Sequence, residues 1–142
     1  MKWLKWALML LLAVLVINVV DFFYINTSLI NKAERNPGFK QSERRLYRLF
    51  VDEDIKNVPR ITDDYYFRFR RMDGPSAEIS GIVFKGATET AALEKYLTAL
   101  GYRHVSDDEF GQRWEKGDRP NPNIYIWRNT ASKEISLTKY SL

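Results

Sequence analysis

The chain of 142 residues carries 22 Lys and Arg against 18 Asp and Glu, with one histidine and no cysteine. The lack of cysteine excludes disulfide stapling, thiol catalysis and thiolate metal sites, and a single histidine excludes multi-histidine zinc sites and two-histidine relays. A net charge of +4 is too weak to argue for nucleic acid as a partner.

The first element is the apolar run from Trp6 to Ile25, WALMLLLAVLVINVVDFFYI, interrupted only by Asn18 and Asp21. As a helix, about 20 such residues rise roughly 30 Å, the thickness of the hydrocarbon layer of a bilayer. Lys2 and Lys5 supply a basic start, as in a secretory signal. The small-x-small exit of such a signal is missing, because Asn18-Val19-Val20-Asp21-Phe22-Phe23 follows Ile17. Trp3 and Trp6 suit the near interface, and Phe22, Phe23 and Tyr24 the far one, as aromatic belts. Residues 1–25 are therefore expected to form an uncleaved, single-span signal anchor. Lys2 and Lys5 on one side and Asp21 on the other place the N-terminus in the cytoplasm by the positive-inside rule, although Lys32 and Arg35 weaken the contrast. The expected location is the cytoplasmic (inner) membrane, single-pass, with the C-terminal domain outside the cytoplasm. In a Gram-negative cell that compartment is the periplasm.

Residues 26–38 are polar and end in Pro37-Gly38, which reads as a tether or as a fraying end of the anchor helix. Asn26-Thr27-Ser28 fits a glycosylation triplet, relevant only to a eukaryotic secretory route. Residues 39–142 are enough for one domain of about 100 residues, the extracytoplasmic domain of this reading.

Ser42 followed by ERRLYRLF predicts a capped helix with Leu46, Leu49 and Phe50 on its apolar face. The acids Asp52-Glu53-Asp54 and then Pro59 close that segment. From Asp64 to Met72 the residues alternate, with Tyr65, Phe67 and Phe69 on one face and Tyr66, Arg68 and Arg70 on the other. Asp73-Gly74 marks a turn, and Ala77 to Lys85 returns as a strand in which Gly81 suggests a bulge. Thr88 to Leu100 predicts a helix with a core stripe of Leu93, Tyr96, Leu97 and Leu100, ended by Gly101. Tyr102 to Val105 suggests a short strand. Phe110 to Lys116 is the next, with Phe110 and Trp114 on one face. After a loop containing Pro120 and Pro122, Asn123 to Arg128 alternates Ile124 and Ile126 against Tyr125 and Trp127. In the last strand, Lys133 to Tyr140, Ile135 and Leu137 point one way and Tyr140 the other. The expected fold is α+β, an antiparallel sheet of order α-β-β-α-β-β-β after the transmembrane helix, with helices packed on one face.

Catalytic motifs are weak. His104 stands near Ser106 and Asp107, but residues so close in sequence seldom reach triad geometry. Ser136-Leu137-Thr138-Lys139 matches S-x-x-K in a strand, where serine and lysine point to opposite faces. Neither Asp107-Asp108-Glu109 nor Asp63-Asp64 has the alternating ligands of a calcium loop. No cofactor or metal site is expected.

The most informative feature is the second face of the sheet, which gathers Tyr66, Arg68, Arg70, Tyr125, Trp127 and Tyr140, with Arg113 alongside. Tyr, Trp and Arg combine contact area with directed polar groups and dominate interface hot spots. The plainer reading is a solvated face on which arginine stems cover rings. The first functional expectation is a non-enzymatic protein-binding domain, an accessory subunit of an envelope complex or an immunity protein. The alternative is an envelope sensor for a glycan or small anion held by Arg68 and Arg70. Least supported is a hydrolase using carboxylates such as Asp107 and Glu109, which needs a pair with separated pKa values.

The mature protein should keep residue 1 and stay with membranes through high-salt washing. An intact mass short by about 20–30 N-terminal residues would mean a cleaved signal.

Overall fold

The computed structural model describes residues 1–117 and 122–142, so most of the loop expected around Pro120 lies outside the described residues. The chain forms two compact units, Met1–Lys32 and Ala33–Leu142.

Helix α1 (Lys2–Ala33) is continuous over 32 residues. No glycine or proline interrupts it. Asn18 and Thr27 turn their side chains back onto the carbonyls of Val14 (2.7 Å) and Phe23 (2.9 Å), so these polar groups do not break the helix. The helix includes residues 26–33, where the polar composition suggests a tether. It is long and apolar enough to cross a membrane, and none of its most apolar window is buried within the chain. Trp3, Trp6, Phe22, Phe23 and Tyr24 are all exposed on it.

The second unit is α+β, as its sequence predicts. Helices α2 (Arg44–Phe50), α3 (Glu53–Lys56) and α4 (Ala91–Ala99) accompany strands β1 (Tyr65–Arg70), β2 (Glu78–Lys85), β3 (Tyr102–Asp108), β4 (Gly111–Lys116), β5 (Asn123–Asn129) and β6 (Glu134–Ser141). The six strands form one sheet of spatial order β1-β2-β6-β5-β4-β3, antiparallel at every step. The order of elements therefore differs from the expected one by the short α3 and by a full-length β3. That strand hides in the sequence because it is a polar edge, Tyr-Arg-His-Val-Ser-Asp-Asp, with a bulge between His104 and Ser106 that breaks the alternation.

The core lies between the helices and one sheet face. Phe67, Ile82, Phe84, Ile124, Ile135 and Leu137 from the sheet are fully buried, as are Ile55, Leu93 and Leu97 from the helices. The rings of Tyr47 and Phe50 in α2 pack on Phe67 and Phe69 at centroid distances of 5.1 and 4.9 Å. Four local expectations are corrected. Ser42 does not cap α2; the helix starts after Glu43, whose carboxylate accepts the Lys40 amide instead. Leu49 is exposed, and Tyr47 takes its place in the inward stripe. Thr90, not Thr88, precedes α4, and upstream of it Ala87 donates its N–H to the Lys133 carbonyl at 3.0 Å. Gly81 makes no bulge: the β1–β2–β6 register runs straight through it, with Ile82 and Phe84 inward and Ile79 and Val83 on the opposite face.

Two glycines allow close approaches that other residues would block. Gly38 (φ +148°) lets Phe39 bridge to Phe67, each donating its N–H to the other's carbonyl at 3.0 and 2.8 Å. A Cβ at Gly38 would lie 2.1 Å from the Phe67 oxygen. Gly111 (φ +111°) opens β4 beside the Ile126 carbonyl, where a Cβ would come within 2.3 Å. This turn leaves Phe110 exposed before the strand begins, whereas Trp114 is buried on the core face, so the two do not share a face as the spacing suggests.

Phe67→Ala should lower unfolding stability by about 3–5 kcal/mol, because its cavity opens beneath α2 in the middle of the core. Denaturant unfolding of residues 33–142 measures it.

Candidate binding face of the sheet

Helices α2, α3 and α4 all pack on one face of the sheet, and none of them covers the other. Register assembles that second face in three rows: Arg70, Ile79, Tyr140, Asn123, Glu115 and Arg103; then Arg68, Gly81, Thr138, Tyr125, Arg113 and Ser106; then Tyr66, Val83, Ser136 and Trp127. The seven residues expected there from alternation all lie on it, but not equally accessibly. Arg68 and Arg70 are exposed, and Trp127 is 38% exposed. Tyr125, Tyr140 and Arg113 are half-buried. Tyr66 is only 6% exposed, against expectation, because Gly38 lies against its ring while Arg68 and Lys85 sit over it at 5.7 and 5.8 Å.

An aromatic chain crosses the face. Phe110 meets Tyr125 edge-on at 6.3 Å, and Tyr125 meets Tyr140 edge-on at 5.5 Å, the favoured arrangement of aromatic quadrupoles. Phe110 was not among the expected residues; the signal that places it here is the glycine that follows it. Beyond Tyr140 the face deepens into a cavity of about 370 Å³, floored by Ile79 and Thr138, flanked by Arg68, Arg70 and Tyr140, and walled by residues 34–37. A second hollow beside it runs toward Arg71, Asp73 and Ser76.

The charges of this region are not equivalent. Arg113 is neutralised by Glu115 on the next position of the same face. Glu34 accepts the Arg71 amide at 2.9 Å and its guanidinium at 3.5 Å. Arg68 donates through Nε to the Pro37 carbonyl (3.3 Å) and reaches the Tyr66 hydroxyl (3.4 Å). Arg70 has neither an ion pair nor a hydrogen bond among the described residues, so it is the cation available to an incoming group. Burial raises the Tyr140 hydroxyl above the ordinary tyrosine range and Tyr125 adds to this, while Arg68 and Arg70 oppose it.

The helical side holds a different cluster. Lys139 Nζ reaches Asp52 Oδ1 (2.9 Å) and Asp54 Oδ2 (2.8 Å). The Tyr102 hydroxyl donates to Asp54 Oδ2 (3.1 Å), and the Tyr96 hydroxyl to the Asp54 carbonyl (2.6 Å). Ser136 stands on the opposite side of the sheet from Lys139, so S-x-x-K forms no nucleophile and base pair. The cluster fastens α3 to β6. Burial would raise the Asp54 carboxyl, but the Lys139 bond and charge, with the Tyr102 hydroxyl, outweigh it and hold it below the usual range. Burial would lower Lys139, but Asp54 and Asp52 raise it. Tyr102 is pushed up to about 12, chiefly by burial, with Asp54 adding.

On edge strand β3, His104 Nε2 lies 2.9 Å from Asp107 Oδ1, and its ring rests 5.5 Å from that of Trp114. Ser106 pairs with Arg113 on the other face, so no serine relay forms. Asp108 accepts the Phe110 amide within its own turn. No protein-family model, curated protein or solved structure matches this chain.

The Lys139 cluster sets a pH profile. Asp54, with a lowered folded value, contributes stability that is present above about pH 4 and lost as the pH falls further. Lys139 and Tyr102, both raised, contribute stability that is lost as the pH climbs above about 10. Thermal melting from pH 3 to 11 should show both losses. Lys139→Met should flatten the acid loss and cost about 1–3 kcal/mol at pH 7, because two carboxylates lose their partner.

Proposed function

We propose that this protein is a non-enzymatic, membrane-anchored binding protein. In this reading α1 is an uncleaved anchor in the cytoplasmic membrane, with Lys2 and Lys5 inside and the α+β domain outside the cytoplasm. The domain captures another protein on the sheet face opposite α2, α3 and α4, as an accessory subunit of an envelope complex or an immunity-type inhibitor would. The observation that carries it is the joining of Phe110, Tyr125 and Tyr140 into one partly accessible row that leads to Arg70, which has no ion pair among the described residues, with Trp127 on the same face. Aromatics that offer area and a guanidinium that offers fork-shaped donors are what interface hot spots use.

A second reading is favoured by one feature. The cavity flanked by Arg68, Arg70 and Tyr140 has the charge and hydroxyl groups to hold a small anion or an acidic glycan. On this reading the domain is an envelope sensor.

Full-length protein in mild detergent, used as bait, separates the two. Trp127→Ala with Arg70→Ala should weaken partner capture by roughly thirtyfold or more while the melting temperature stays nearly constant. A domain that still captures its partner with both residues gone has a solvated sheet face and no hot spot there. Loss of binding to a charged glycan with Arg70→Ala alone, and no effect of Trp127→Ala on any partner, selects the sensor.

A further inference from the structure

Within α1, Leu8, Leu11, Leu15, Asn18, Phe22 and Ile25 follow one another at alternating intervals of three and four residues, and the pattern extends to Leu4 and Leu29. This is the spacing of the a and d positions of a heptad. In a leucine-rich helix an apolar stripe is ordinary. Asn18 is not, since it is the only polar residue from Trp6 to Val20 and it falls in the middle of the stripe.

Asn18 donates one amide hydrogen to the Val14 carbonyl. Its second N–H and its oxygen have no partner among the described residues. In hydrocarbon no water satisfies them, and leaving them bare is costly. The same side of the helix carries a shallow groove lined by Leu11, Val14, Leu15, Asn18, Val19 and Phe22. Nothing buries this part of α1 within the chain. Acyl chains can fill such a groove but offer no hydrogen bond.

A carboxamide is complementary to itself, as it donates and accepts. Two copies inserted in the same direction bring Asn18 to the same depth, so one symmetric contact satisfies both amides. Asp21 falls beside this seam, toward the far interface, where water reaches it. We infer that α1 pairs in parallel with a second copy of this chain, its leucines packing around an Asn18–Asn18 hydrogen bond in the left-handed crossing that a 3.5-residue repeat imposes. The inference rests on α1 being a retained membrane span. It makes the proposed binding protein a dimer that presents two sheet faces.

The natural chain has no cysteine, so single cysteines report contacts cleanly. In membranes bearing the full chain, oxidation should link variants with cysteine at Leu8, Leu11, Leu15 or Phe22, but not at Met9, Leu12, Val16 or Val20. Energy transfer between labelled full-length copies in lipid vesicles should show Asn18→Leu raising the dimer dissociation constant about tenfold. Asn18→Gln should retain pairing. Cross-links without this period, or pairing indifferent to Asn18→Leu, overturn the inference. So does a monomer cross-linked at these positions to a different protein. Alkaline extraction keeps the two failures apart: a protein released from membranes removes the span and the pairing together, whereas a retained monomer removes the pairing alone.

Discussion

The sheet depends on the pairing of β2 with β6. It is the one neighbour relation between strands not adjacent in sequence, and it joins the β1–β2 hairpin to the β3–β4–β5–β6 meander. Its inner side brings Ile82 opposite Leu137 and Phe84 opposite Ile135, four side chains with no exposure at all. Burying four such groups contributes roughly 6–12 kcal/mol before the entropy of ordering the chain is set against it. Its outer side brings Gly81 opposite Thr138 and Ile79 opposite Tyr140, and of these Thr138, Ile79 and Tyr140 line the cavity. One strand pair thus supports the core on one side and shapes the candidate site on the other.

Because α2, α3 and α4 share the first side, the second must settle its own polarity. It does so in patches. Arg113 and Glu115 cancel, Glu34 takes Arg71, and Tyr66 disappears under the segment around Gly38. What remains accessible is a narrower set than the alternation suggests: the aromatic row, Trp127, Arg68 and Arg70.

Strong alternation was legible where both faces have distinct chemistry. In β1 and β5 each side chain fell on the side its neighbours implied, and the α+β class followed from the hairpin spacing. The local errors come from contacts remote in sequence or from backbone turns. Tyr66 looks exposed until residues 35–38, some 30 positions earlier, fold across it. Phe110 looks like a partner of Trp114 until Gly111 turns the chain between them. The edge strand β3 needs no apolar face and so shows no alternation. The ion cluster of Lys139 was beyond reach, because its acids lie more than 80 residues away along the chain, and nothing about S-x-x-K points to them.

The last strand in the chain lies third in the sheet, and this has a consequence for synthesis. As the polypeptide emerges, the β1–β2 hairpin forms with one side of β2 unpaired, and a lone hairpin is marginal in water. Its partner arrives about 50 residues later, at the pace of elongation. The hairpin therefore waits without its third strand until β6 is made. It spends that interval with the inward edge of β2 open to whatever holdase or neighbouring strand reaches it first.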